Sequence, residues 1–316
     1  MKKAHKQRIF LAARLCLGLG ILAYIAYSID ADEAVRFPDD FAWGYCMAAG
    51  LLFLLDRIIG AYRWSVVIGI KNSEISFRKV MAIYFKSSFL GHVIPTSLGG
   101  EVMKIYGLSR ETSRTIEAAS SIVVERFIGL CALLAVCGIG FMFMPVAFTR
   151  NQTVAAIRGL NLLALIGFVG LAYACTLLLR YLHQRHIRIK NSFLQRIVRI
   201  SEVFTSYRHH GGRLRIIFAL SSLIHIGRVL SVYFVGLSLG FDVTGVYYFF
   251  FVPIVALVSM IPVSLAGLGI QEGAFVYFFS LSGLLRADIF TMAILVRVLT
   301  LAVTLPGLYF MLERKR

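Results

Sequence analysis

Apolar residues run through this chain in blocks long enough to cross a bilayer, and polar residues collect between them. About 20 apolar residues are needed to cross roughly 30 Å of hydrocarbon at 1.5 Å per residue. Six stretches meet that length: residues 9–29, 41–68, 116–144, 154–179, 214–239 and 287–312. Two further apolar regions are broken in the middle. Residues 80–94 and 102–110 flank "PTSLGGE", and residues 246–261 and 274–285 flank "PVSLAGLGIQEG". Each arm is too short to span alone, so each pair reads as a re-entrant helical hairpin. The expected fold is an all-α polytopic membrane protein with about six spanning helices and two re-entrant hairpins.

Charge orients this plan. Residues 180–215 hold nine Lys/Arg and one acid, whereas residues 30–40 hold five acids and one base. With the N-terminus inside, "KKAHKQR", "KNSEISFRK", "LSRETSR", the nine-base loop and the terminal "ERKR" all fall on the inner side, as the positive-inside rule requires. The acidic loop and "GFDVTG" fall outside. A cell inner membrane with both termini cytoplasmic is therefore expected. The N-terminal apolar run is too long for a signal-peptide core of roughly 7–15 residues and reads as a retained span.

Composition agrees. The 316 residues are 59% hydrophobic and 16% charged, against about 25% charged in soluble domains. The net charge of +17 would suggest nucleic acid in a soluble protein. Here its place in inner loops argues against nucleic acid and for anionic inner-leaflet lipids at residues 180–215, where residues 191–208 read as an amphipathic interfacial helix. The five cysteines lie in apolar segments without a CxxC and read as small buried hydrophobes. No metal or cofactor motif is present, and the histidine pairs His183/His186 and His209/His210 lack acidic partners in the basic loop.

The two breaks are copies of one another. Pro95, Ser97, Leu98 and Gly100 match Pro262, Ser264, Leu265 and Gly267 at an offset of 167. After a four-residue insertion, Glu101 and Arg126 match Glu272 and Arg297 at an offset of 171. Each half reads span, span, hairpin, span, the first starting inside and the second outside. The halves, residues 1–150 and 151–316, form an inverted-topology repeat within a single membrane domain. Proline ends each first arm, and Gly99, Gly100, Gly267 and Gly269 permit the reversal. Each second arm then begins with free N–H groups near mid-membrane, a positive dipole end of the kind that transporter substrate sites use.

An ionised side chain at mid-membrane costs about 2.5–3.5 kcal/mol, so Glu101, Arg126, Glu272 and Arg297 must be paired or hydrated. Glu101 with Arg126 and Glu272 with Arg297 are the natural pairings. A purely structural role is open for each: the Glu satisfies a helix N-terminus and the Arg locks the hairpin to its neighbour. Repeated in both halves, the set reads as a headgroup path. Lys86, His92, Arg63 and Arg228 are secondary candidates, with His225 on the face of Arg228. Arg63 and Trp64 are expected to snorkel and anchor at the inner interface, and Glu125 to point away from Arg126.

The stretches "RW" at 63–64, "FLGHVIPTSLGGEVMKIYGLSR", "SSIVVERFIGL" and "IPVSLAGLGIQEGAFVYFF" resemble the lysylphosphatidylglycerol synthase transmembrane-region family, over nearly the whole chain. In multiple peptide resistance factors a similar membrane domain is associated with flipping aminoacylated phospholipid, with a cytosolic aminoacyl-transfer domain fused behind it. This chain stops at Arg316, so the resemblance implies the stand-alone flippase-like part and not lipid aminoacylation, and no enzymatic activity is expected. Stand-alone relatives have been linked to hopanoid or glycolipid handling, and the resemblance does not name the cargo. The expected function is translocation of a lipid or lipid-linked intermediate, with the headgroup passing the hairpins. The alternatives are a membrane-embedded transferase on a lipid carrier and a non-transporting accessory subunit. A homo-oligomer is compatible with the sequence.

Overall fold

The computed structural model describes residues 16–25, 27, 37–70, 75–93, 99–144, 210–261 and 267–312, with Tyr207, Ser264 and short runs between 152 and 170. All regular structure among the described residues is helical: α1 (Cys16–Ile25), α2 (Trp43–Gly69), α3 (Phe77–Val93), α4 (Gly99–Thr112), α5 (Thr115–Met142), α6 (Val154–Ala164), α7 (Gly211–Ser238), α8 (Gly245–Ser259), α9 (Ile270–Ser280), α10 (Arg286–Ala302) and α11 (Pro306–Leu312). Four segments are long and apolar enough to cross a membrane: α2, α5, α7 and the joined run Arg286–Leu312. The last contains a turn at Thr304, after which Pro306 opens α11, a position where its missing N–H costs nothing. The other two expected spans are described chiefly as α1 and α6; most of their remainders, the expected interfacial stretch 191–208 apart from Tyr207, and both chain ends lie outside the described residues. Large apolar side chains such as Leu51, Met142 and Val298 cover the surface, as lipid-facing helices require. The molecule is an all-helical polytopic membrane protein.

α2 and α7 are antiparallel and form the central pair. The Ala42 N–H donates to Ser238 O at 3.1 Å at one end, and Arg213 Nη1 donates to Gly69 O at 2.7 Å at the other. Around this pair, α3 and α4 are 17 and 14 residues long, and α8 and α9 are 15 and 11. The start of α3 (Val80) and the end of α4 (Leu108) share one apolar cluster with Ile68 near the end of α2 and Ala118 near the start of α5. The start of α8 (Tyr248, Phe251) and the end of α9 (Phe279) meet at the opposite end of the molecule, beside Gly236 of α7. Each pair of arms therefore leaves and returns at the same end, and the two pairs use opposite ends.

The helix contacts obey the same exchange. α3 packs on α4 as α8 on α9, α4 on α5 as α9 on α10, and α2 on α3 as α7 on α8. Likewise α2 packs on α5 as α7 on α10, α5 on α7 as α10 on α2, and α5 on α8 as α11 on α3. Two of these contacts are backbone-close. A Cβ at Gly140 would lie 2.6 Å from Phe249 O, and one at Gly307 would lie 2.3 Å from Phe85 O. Glycine lets helices approach in lipid, where packing drives association.

Candidate functional site

Polar and charged residues of α2, α3, α4, α5 and α7 converge on a cavity of about 340 Å³. Its lining carries five cations, Arg57, Arg63, Lys104, Arg126 and Arg228, and two acids, Glu101 and Glu125. Ser87, Ser88, His92 and His225 add polar groups, and Gly91, Gly100 and Gly129 bare backbone. The size lies within the roughly 300–1,000 Å³ of small-molecule sites.

Three of the charges form one buried cluster. Arg63 Nη2 is 2.6 Å from Glu125 Oε1, and Lys104 Nζ is 3.2 Å from Glu125 Oε2. Arg63 also donates from Nη1 to Ser221 Oγ at 3.0 Å. Lys104 lies 4.2 Å from the Tyr84 ring centroid and 5.3 Å from that of Trp64, within cation–π range. Trp64 is fully buried and donates to Ser121 Oγ. This corrects the expectation of interfacial anchoring for Arg63 and Trp64. Both face inward, because Glu125 on α5 offers Arg63 a carboxylate that a snorkelling side chain would forgo.

A second cluster lies where α2 meets α7. Arg228 grips Asp56 with two hydrogen bonds, of 3.1 and 3.3 Å. Arg57 Nε is 3.7 Å from the same carboxylate, and its Nη1 donates to Ser88 Oγ at 3.1 Å. One acid thus lies between two arginines, one from each helix of the central pair. His225 Nε2 is 2.9 Å from Gly129 O, which fixes a proton on that nitrogen.

Both Glu–Arg pairings expected from the repeat are formed, in different surroundings. Arg126 Nη2 pairs with Glu101 Oε1 on the cavity wall, the Arg side chain 56% and the Glu 20% exposed. Arg297 Nε pairs with Glu272 Oε1, and Glu272 is fully buried. Glu272 also accepts from the Gly269 N–H at 2.8 Å, while Arg297 Nη2 donates to Gly267 O at 3.2 Å. Those contacts close the N-terminus of α9 and tie the break to α10. Glu272 and Arg297 are not among the residues lining the cavity. The four charges thus do not form one wall.

The break glycines divide similarly. A Cβ at Gly100 would lie 2.8 Å from Ser87 O, so glycine there sets the approach of α4 to α3, and Gly99 is buried. Gly267 and Gly269 have φ of +72° and +78°, where glycine is the residue without a Cβ penalty. Ser264 is buried, and Pro95, Ser97 and Pro262 lie outside the described residues. His92 lines the cavity, whereas Lys86 is half-buried on α3 and does not. Of the described cysteines, Cys46 and Cys137 are buried as expected, Cys131 is half-buried, and Cys16 is exposed.

Arg57, Lys104 and Glu125 were not singled out for this site by sequence. The signal existed for Arg57, which stands mid-way along a span where charge is expensive. It was weaker for Lys104 and Glu125, whose meeting depends on how α4 packs on α5.

Two of the cavity's charges have apolar counterparts on α9 and α10. At the 171 offset that follows the insertion, Lys104 and Glu125 correspond to Phe275 and Val296. Phe275 and Val296 belong to the large apolar core built with Phe250, Phe251, Phe278 and Phe279. Among the described residues the side built by α3 and α4 is hollow and charged, and the side built by α8 and α9 is filled with aromatic rings.

The model of the lysylphosphatidylglycerol synthase TM region matches residues 11–307. The chain belongs to that family. A curated relative, the UPF0104 membrane protein PH1989 of Pyrococcus horikoshii, is 25% identical over 256 residues, covering 72% of this chain and 74% of that protein. No solved structure matches. Membership and the apolar helices together make this a multi-pass membrane protein of the family, and the family match runs across both halves and the whole cavity wall.

Proposed function

We propose that the protein translocates a lipid or lipid-linked amphiphile, holding its polar headgroup in the charged cavity while the tails stay in the bilayer. The observation that carries this reading is a cavity with five cations and two acids, built from helices of a membrane protein. A charge in hydrocarbon costs several kcal/mol, so such a group of charges needs a polar occupant or water to repay it. The family name supports a lipid setting. The exchange symmetry of helix contacts supports an inverted repeat with two re-entrant hairpins, an architecture suited to alternating access.

In this proposal Glu101 and Arg126 act on the headgroup path, and Glu272 and Arg297 anchor the second hairpin. The N-terminus and the basic stretch 180–215 face the cytoplasm, where the latter meets anionic lipid. Chemistry on the headgroup is left to other proteins.

Purified protein in liposomes with fluorescent lipids of varied headgroup tests the proposal. Accelerated loss of inner-leaflet or outer-leaflet label relative to empty vesicles is expected for at least one headgroup, and Arg126→Gln should slow it tenfold or more. Equal rates with and without protein across the lipid panel would overturn the translocator reading.

A further inference from the structure

We infer that the cavity is selective for a phosphate monoester, held by Arg57, Arg126 and Arg228 with His225 beside them. The inference rests on the translocator reading for the source of the ligand, but its chemistry comes from the charge balance of the site.

The lining cations number five. Glu125 is engaged by Arg63 and Lys104, Glu101 by Arg126, and Asp56, just behind the wall, by Arg228. Three acids against five cations leave an excess of two positive charges. A phosphate monoester carries about −1.5 to −2 at neutral pH, whereas a diester carries one negative charge. The excess matches the monoester.

Hydrogen-bonding capacity points the same way. Arg57 Nε is buried and has no hydrogen-bond partner, and Arg57 has only a hydroxyl at hydrogen-bond distance, Ser88 Oγ. His225 is 8% exposed, lines the cavity, and its Nδ1 has no partner. Because Nε2 carries a proton toward the Gly129 carbonyl, Nδ1 is an acceptor in the neutral ring and a donor in the charged one. A monoester satisfies both forms: P–OH donates to the neutral nitrogen, and P–O⁻ accepts from the charged one. A diester has no proton to give. Arginine forks suit phosphate oxygens bidentately, which favours phosphate over a single carboxylate at three guanidinium groups.

Binding to purified full-length protein in neutral detergent tests this, by calorimetry or native mass spectrometry. The probes are dihexanoyl phosphatidic acid, a monoester; dihexanoyl phosphatidylglycerol, a diester; dihexanoyl phosphatidylcholine; and inorganic phosphate. The monoester lipid should bind at least tenfold tighter than the diester. Arg57→Gln should weaken it about tenfold or more and Arg57→Lys less. His225→Asn should shrink the monoester preference more than it shrinks diester binding. Equal affinity for both anionic lipids, or an unchanged affinity in Arg57→Gln protein that melts like wild type, would overturn the monoester site. If vesicle translocation persisted in that case, the translocator reading would survive alone. If inorganic phosphate bound as tightly as the monoester lipid, the anion site would stand with a soluble ligand, and the lipid source would be overturned.

Discussion

The two Glu–Arg pairs show how one sequence pattern acquires two meanings from its surroundings. Glu272 is fully buried and holds both Arg297 and the Gly269 N–H, so Glu272→Gln strips the charge from one partner and weakens the other contact. Breaking a buried pair costs about 3–5 kcal/mol. Glu101 faces the cavity with an exposed Arg126, so Glu101→Gln should cost at most about 1 kcal/mol. Thermal inactivation in detergent should therefore separate the two variants, with Glu272→Gln losing stability strongly and Glu101→Gln nearly unchanged. Reversed or equal losses would show that the environments are alike. At this scale the sequence made the pairings readable, because a mid-membrane charge must find a partner within reach of its own hairpin. It could not reveal that one pair would be sealed and the other open, since that depends on what the opposite half packs against each. Asp56 and Arg57, mid-way along α2, carry the same mid-membrane cost and so the same demand for partners. Arg63 was misjudged because a charge near a span end reads as snorkelling until a buried acid is seen opposite it.

Helix bounds were far more legible than helix contacts. The expected spans 41–68, 116–144 and 214–239 agree with α2, α5 and α7 within a few residues, because apolar length is a local property of the chain. What hydropathy could not supply is which glycines touch. Gly140 and Gly307 meet backbone carbonyls of α8 and α3, in two contacts that exchange with one another under the repeat. A carbonyl oxygen on a helix cannot swing aside, so added methyl groups must push helices apart. Gly140→Ala and Gly307→Ala should each destabilise the protein by about 1–3 kcal/mol, read as earlier thermal unfolding. Gly20→Ala on α1, where a Cβ meets nothing within 4 Å, should be neutral. A glycine that faces open space and one that seats a helix look identical in sequence.

Across the whole molecule the helix contacts exchange in pairs, while the side chains of the interior do not. In the second half Phe275 and Val296 stand where Lys104 and Glu125 stand in the first, so the chain itself supplies an apolar solution for those two positions. That gives a test of whether the charged cluster exists for stability or for the cavity. Glu125→Ala alone leaves Arg63 and Lys104 buried without their shared acid and should cost about 3–5 kcal/mol. Replacing all three charges together, as Arg63→Phe/Lys104→Phe/Glu125→Val, removes both the ions and their burial penalty, and buried ion clusters replaced by apolar residues of similar volume are often neutral or more stable by 1–4 kcal/mol. The triple variant should therefore unfold later than Glu125→Ala and close to wild type, while translocation in vesicles is lost. If instead the triple variant were the less stable of the two, the cluster would be part of the fold's support. If it were stable and still active, the cavity charges would not belong to the path. The cavity draws its charges from α2, α4, α5 and α7, and the cost of burying those charges is the reason to look for function there.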